Sequence, residues 1–404
     1  MRRALLYILA VGAAFAQDFT HRGFLDTTIL TYPQAAPGDS GRVVGEGLLR
    51  YEAFYKLSPA WRLSGGVDAR ADTHRQVKRE FHFSTQDRDR ERPALALRRL
   101  SATYVRGRLS LEMGKQFIRW GKADILNPTD RFAPRDFLNV VTNDFLPVTA
   151  ARLTYGGQSD SVDVVWSPRF TPSRLPLVNQ RWAVLPPGVT VESLEPRYPG
   201  GSQFGLRWNH IGRASEFSLS MYDGNNHLPL IDATVARLAP PLVRAQPFYA
   251  AMRMYGGDAA VPLPLVTLKG EAAYFTSSTP QADEYVLYVI QVERQSGEWF
   301  LVGGYAGEAI TQARSQLGFA YDRGFSRAFL GRAGYTIDAN RSLAFDTAIR
   351  QNGKGVWARA EYSQAFRQHW RATLGFTWIR GDPADFLGQY RRNSHALLAL
   401  RYSF

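Results

Sequence analysis

Along most of the chain, apolar and polar residues alternate at every second position. In 201–211, Phe204, Leu206 and Trp208 oppose Gln203, Arg207 and Asn209. In 214–223, Phe217, Leu219 and Met221 oppose Glu216, Ser218 and Ser220. In 341–351, Leu343, Phe345, Thr347 and Ile349 oppose Ser342, Asp346 and Arg350, and in 355–366 Val356, Ala358, Ala360 and Tyr362 oppose Arg359, Glu361 and Ser363. In 370–380, Trp370, Ala372, Leu374, Phe376 and Trp378 oppose Arg371, Thr373 and Thr377. A strand sends successive side chains to opposite faces, so each segment has one apolar face and one polar face.

The pattern predicts strands over 20–31, 43–57, 61–71, 95–106, 108–118, 147–156, 160–167, 201–211, 214–223, 263–276, 284–293, 298–306, 312–322, 325–337, 341–351, 355–366, 370–380 and 392–404, a total of 18. Most are long enough to cross a bilayer at a tilt of about 45°. Short connections alternate with long ones, and 72–94, 119–146, 168–200 and 224–262 all fall on one side. The expected fold is all-β: a transmembrane antiparallel β-barrel of 18 strands, with 16 the next choice, long extracellular loops and short periplasmic turns. A further strand over 249–257 would make the total odd, so accepting it requires one other strand to be wrong.

Both ends of the chain agree with export to an outer membrane. Arg2 and Arg3 precede an apolar run from Ala4 to Phe15, and Ala14-Phe15-Ala16 has a small-x-small pattern. This predicts a signal peptide over 1–16 and a single barrel domain over 17–404. At the other end Leu398, Leu400, Tyr402 and Phe404 share one parity, and Arg401 takes the other. Such an ending resembles the closing strand of bacterial outer-membrane β-barrels, which implies that the barrel-assembly machinery reads Phe404 as an address. No plug-sized segment precedes strand 20–31, which disfavours an energy-coupled receptor.

Composition sharpens the picture. Hydrophobic residues make up 45% of the chain and aromatics 13%, yet mean hydropathy is only −0.27. Apolar residues are therefore spread singly along alternating segments, as in strands with lipid on one side and water on the other. The 9 Trp, 19 Tyr and 24 Phe are enough for two interfacial girdles. With no Cys, a lipoprotein anchor, disulfides and thiolate metal sites are excluded. The formal charge of +13 comes mostly from arginine. Lipopolysaccharide phosphates, outer-membrane lipid or an anionic solute are the expected partners, and nucleic acid is not.

Charged residues collect on the polar parity, where a lumen would lie: Arg99, Glu112, Arg207, Glu216, Arg332, Asp346, Arg350, Arg359, Glu361, Arg371 and Arg401. On a lipid face each would cost about 2–4 kcal/mol at midplane. Two readings stay open. The charges can zip the lumen shut with ion pairs, or line a pathway for anions.

One segment breaks the alternation. Gly114 to Phe137 carries the order G-x-Q-x-x-x-W-G-x-x-D, then N-P-x-D, then P-x-D. Its candidate residues are Arg119, Trp120, Asp124, Asn127, Asp130, Arg131, Arg135 and Asp136. Asn127-Pro128 and Asp130 favour a tight turn. Asp124, Asp130 and Asp136 can pair with Arg119, Arg131 and Arg135, which suits a loop over 119–146 that folds inward and sets pore size. Together with Tyr255-Gly256-Gly257-Asp258 and Lys269-Gly270-Glu271-Ala272-Ala273-Tyr274, the order resembles a motif of porin-like outer-membrane proteins, loosely akin to alginate-export porins. The resemblance implies a barrel and a channel, and names no solute. The three aspartates do not match a calcium loop, and no metal or cofactor is expected.

Enzyme signals are poor. Gly38-Asp39-Ser40-Gly41 matches a protease nucleophile segment only as four isolated residues, and the seven His are scattered without a metal or hydrolase motif. The expectation is a non-enzymatic channel for passive or selective diffusion of small polar, including anionic, solutes. The alternatives are a surface-binding or polysaccharide-associated barrel with a blocked lumen, and a barrel hydrolase.

Overall fold

The computed structural model describes residues 18–186, 188–315 and 320–404, so the expected leader over 1–16 lies outside the described residues. The alternating segments form strands β1 (Phe19–Thr31), β2 (Val43–Lys56), β3 (Trp61–Asp72), β4 (Leu95–Arg106), β5 (Leu109–Gln116), β6 (Val148–Gly156), β7 (Asp160–Ser167), β8 (Gln203–Ile211) and β9 (Glu216–Asn225). They continue as β10 (Ala251–Pro262), β11 (Thr267–Thr276), β12 (Glu284–Ser296), β13 (Trp299–Gln312), β14 (Ala328–Thr336), β15 (Arg341–Arg350), β16 (Gly355–Phe366), β17 (Trp370–Gly381) and β18 (His395–Ser403). Each pairs antiparallel with the next, and Phe24–Thr31 of β1 pair with Ala396–Ser403 of β18. The 18 strands thus form a closed barrel, which leaves no sheet edge for a bilayer to strand.

Parity sorts the faces as the sequence predicts. Phe204, Leu206 and Trp208 are exposed outward while Gln203 and Arg207 are buried inward. Leu374, Phe376 and Trp378 on β17, and Leu398, Leu400 and Phe404 at the closing strand, continue the apolar outer face. Arg401 turns inward and pairs with Asp26 of β1, 3.0 Å away, directly across the seam. The amide and carbonyl of Phe404 close the same seam against Gly23 at 3.0 and 2.9 Å.

Two expected elements change places. Residues 251–262 form β10, inside what the sequence suggests is a long connection over 224–262. The expected strand over 312–322 is absent: β13 runs on to Gln312, and the described residues 313–315 and 320–327 lie outside any strand. The two changes cancel in the count but reverse β11, β12 and β13 relative to expectation. The physical cause lies in Gly256 and Gly257, which carry no side chain to mark parity. A Cβ on either would fall within 2.8 Å of a neighbouring strand's carbonyl.

Candidate functional site

The motif segment starts where β5 ends. Gln116 is buried and its amide donates to Ala150 O at 2.9 Å on β6, which fixes the exit of the chain. From Phe117 to the start of β6 the chain makes no barrel strand. Asp130 reaches back to accept from the amides of Trp120 and of Gly121, the latter at 2.7 Å, so the Trp-Gly and N-P-x-D parts of the motif form one closed turn. Trp120 stacks edge-on against Phe132 at 5.4 Å, and Phe132 against Tyr222 at 5.0 Å. Both Trp120 and Phe132 lie over Gly205, where an added Cβ would sit 2.4 Å from the Phe132 ring.

The other two motif segments are the wall that receives this turn. Glu271 on β11 accepts from the amides of Lys122 (3.0 Å), Ala123 (3.0 Å) and Thr129 (2.8 Å), and from the Thr129 hydroxyl (2.9 Å). A buried carboxylate left without such donors would cost several kcal/mol, so Glu271 and the turn need each other. Asp258 on β10 pairs with Arg207 at 2.8 Å, and Arg207 also donates to Trp120 O. Lys269 bridges Asp124 at 3.3 Å and Glu293 at 2.5 Å, while Gln291 holds both the backbone and the carboxylate of Asp124. All these wall residues share the inward parity. Segment 117–147 therefore packs against the inner face of β7 to β13, in one apolar cluster with Val148, Val165, Met254, Phe275, Leu287 and Val289.

The pairings within the segment differ from those expected. Asp130 does pair with Arg119, at 3.4 Å. Asp124 pairs with Lys269 rather than with an arginine of its own segment. Asp136 binds Arg92 at 2.8 Å and Arg174 at 3.1 Å, both from other outer loops. Arg131 reaches Asp322 at 3.5 Å. Arg135 has no carboxylate partner among the described residues; it donates to Asn143 at 3.0 Å and packs on Phe145 as Arg119 does, their guanidiniums 4.4 and 4.1 Å from the ring centre. The reason is geometric: a segment laid on a charged wall meets cross-barrel partners before its own neighbours.

Burial sets the electrostatics of these outer contacts. It works to raise the Asp136 carboxyl, but Arg92 and Arg174 outweigh it and hold the group well below the usual carboxylate range. It brings the Arg135 guanidinium down to about 10, with Asp130 opposing the shift. It pushes the His227 imidazole down to about 4, although its two ring nitrogens lie 2.6 and 2.8 Å from the carbonyls of Thr171 and Arg131.

The two groups of sequence-predicted residues meet in one place. A cavity of about 260 Å³ is lined by Asp130, Arg131 and Arg135 of the segment and by Arg332, Asp346 and Arg359 of the wall. Beyond it, toward the long loops, a vestibule of about 1820 Å³ opens among Arg88, Arg90, Arg197, Arg314 and Tyr198. At the short-turn end Lys122 and Glu216, 2.8 Å apart, line a third space of about 520 Å³. Most predicted wall charges are paired: Arg332 with Asp346 (2.6 Å), Arg350 with Asp385 (3.1 Å), Arg359 with Glu361, and Glu112 with the Ser101 hydroxyl (2.7 Å). Arg371 is exposed and lies directly across from Arg401, with no ion pair among the described residues.

Sequence reasoning passed over a denser cluster on β2 to β4. Asp68 binds Arg50 bidentately at 2.7 and 2.9 Å, Arg70 at 3.1 Å and Arg98 at 3.8 Å. A bulge in the β3–β4 pairing at Gly66 and Val67 takes Arg98 out of register, so Arg98 and Arg99 both turn inward, 4.5 and 5.8 Å from the ring centre of Phe117. Parity alone gives Arg99 and omits Arg98. Arg50, Asp68 and Arg70 follow the inward parity and were available to it.

No protein-family model matches the chain, and no curated protein does. Solved structures do. OccAB4 of Acinetobacter baumannii superposes with a TM-score of 0.55 at 9% identity, covering 96% of this chain and 98% of that one. A BenF-like porin from Pseudomonas fluorescens Pf-5 gives 0.55 at 9% identity over 96% and 99%. OccK5 (OpdH) of Pseudomonas aeruginosa gives 0.53 at 8% over 96% and 98%. The chain thus has the fold of 18-stranded porins. The alginate-export likeness finds no counterpart among these structures. A closed barrel of this fold with a continuous apolar outer face sits in the bacterial outer membrane, its outer side chains on lipid.

Proposed function

We propose that the chain is a diffusion channel for small polar solutes with a preference for anions, narrowed by segment 117–147 folded into the lumen. The observation that carries the reading is the excess of guanidinium on the inner wall. Asp68 serves three arginines, Arg99 stands beside them, and Arg371 has no ion pair among the described residues. Partly paired arginines facing water attract anions along a pore and repel cations. The Glu271 anchor supports a fixed constriction, because a segment held by four charged hydrogen bonds keeps one position. Residues 1–16 serve as a cleaved leader, and β18 ending at Phe404 as the signal to the assembly machinery. Kinship with alginate-export porins rests on the motif residues alone.

Planar-bilayer recording on purified protein tests the reading. Stepwise conductance with a reversal potential on the anion side is expected, and silence at every voltage would overturn the channel. One observation favours a second reading, a blocked surface-binding barrel. The segment also reaches the far loops, through Arg131 to Asp322 and through Phe137 to Tyr321 at 5.6 Å. The same recording separates the two.

A further inference from the structure

The arginine cluster on β2 to β4 has more structure than general anion attraction requires. Four guanidiniums, those of Arg50, Arg70, Arg98 and Arg99, face inward around one carboxylate, Asp68. Of the other carboxylates nearby, one has a cation of its own and one has only a hydroxyl. Glu52 is taken by Arg22 at 2.8 Å, and Glu112 accepts from Ser101. Asp144, exposed on segment 117–147, is the remaining acid whose charge reaches Arg50 and Arg98. Four cations against Asp68, Asp144 and Glu112 leave a local surplus of one positive charge.

The donors are also unfinished. The buried Nε atoms of Arg98 and of Arg99 have no hydrogen-bond partner among the described residues. The two side chains are set side by side by the bulge and steadied on the Phe117 ring. Arg70 and Arg98 keep 20% and 22% of their side-chain surface open to solvent, so an ion can reach them. A planar guanidinium presents its donors in a fork that matches paired oxygens.

We propose that Arg98 and Arg99, with Arg70 and Arg50 behind them, form a binding site in the lumen for a compact dianion bearing several oxygens, of the phosphate type. The inference rests on the anion-channel reading and names the class of anion that lingers there. An anion with several oxygens meets the forked donors of more than one guanidinium at once, whereas chloride brings no oxygen and a monocarboxylate only two. The bulge is what makes the site, since an unbulged β4 would send Arg98 to the lipid face.

The test uses inorganic phosphate on the full-length barrel, with binding read by phosphorus NMR line broadening and block read by single-channel recording. Phosphate gains its second charge across neutrality while arginine stays fully charged, so binding should tighten about tenfold between about pH 6 and about pH 8. Succinate in the same assay asks whether two separated carboxylates suffice; binding equal to phosphate would overturn the compact-oxyanion assignment. Arg98→Gln and Arg99→Gln should each weaken phosphate binding about tenfold. Arg99→Lys, which keeps charge and loses the fork, should weaken it while leaving the folded barrel's gel mobility unchanged. Phosphate that binds no better than chloride at either pH, in a channel that still prefers anions, would overturn the site and leave the channel reading standing. Anion preference absent while phosphate still binds would do the reverse.

Discussion

Glu271 on β11 accepts the backbone amide of Thr129 at 2.8 Å, joining residues 142 positions apart in the chain. With Lys122, Ala123 and the Thr129 hydroxyl, this carboxylate fixes the motif turn on the barrel wall. Glu271→Gln keeps the shape, halves the acceptor capacity and places an NH₂ against backbone donors. A stability loss of about 2–3 kcal/mol is expected by thermal or denaturant melting, together with larger and noisier conductance steps. An unchanged melting curve and unchanged steps would remove Glu271 as the anchor.

Gly205→Ala tests the aromatic wedge. The new methyl would land 2.4 Å from Phe132 and 2.6 Å from Trp120, so one ring must move. The expected cost is about 1–3 kcal/mol, with altered indole fluorescence of Trp120. Ala at Gly303, where nothing lies within 4 Å, is the control and should leave both unchanged.

The outer clamp responds to acid. Asp136 has a folded-state pKa below its unfolded value, because Arg92 and Arg174 outweigh its burial. Its contribution is therefore complete above about pH 4, the unfolded carboxylate value, and is lost as pH falls through the lower folded value. Hydrogen-exchange protection in segment 117–147, taken relative to the intrinsic rate at each pH, should fall as pH is lowered below about 4, and Asp136→Asn should show the lowered protection already at neutral pH.

Much of the fold was legible in parity. Alternation located 17 of the 18 strands and the inward side of Arg401, because lipid tolerates no charge on the outer face. Strand β10 escaped it where Gly256 and Gly257 replace side chains. The site was legible only as fragments. The motif order, Tyr255 to Asp258, and Lys269 to Tyr274 are visible as separate words, but barrel closure alone brings Glu271 to Thr129 and Arg207 to Asp258. Arg98 was hidden by a bulge that no alternation rule places.

Pairing separates the wall arginines by role. Arg350 is committed to Asp385 at 3.1 Å and to Ser326 O, so Arg350→Ala should destabilise the 382–394 connection and hardly move selectivity. Arg371, with no ion pair among the described residues, should do the opposite: Arg371→Ala should lower anion preference with little change in melting. Reversal potentials and melting curves on the two variants check the split, and equal effects on selectivity would contradict it.

An anion preference set by the inner arginines is read from the zero-current potential across a bilayer in a potassium chloride gradient. The native chain should give a reversal potential on the chloride side, moving toward zero when Arg70, Arg98, Arg99 and Arg371 are all replaced by Gln. A potassium-side potential in the native protein, or one that the four replacements leave in place, would contradict it.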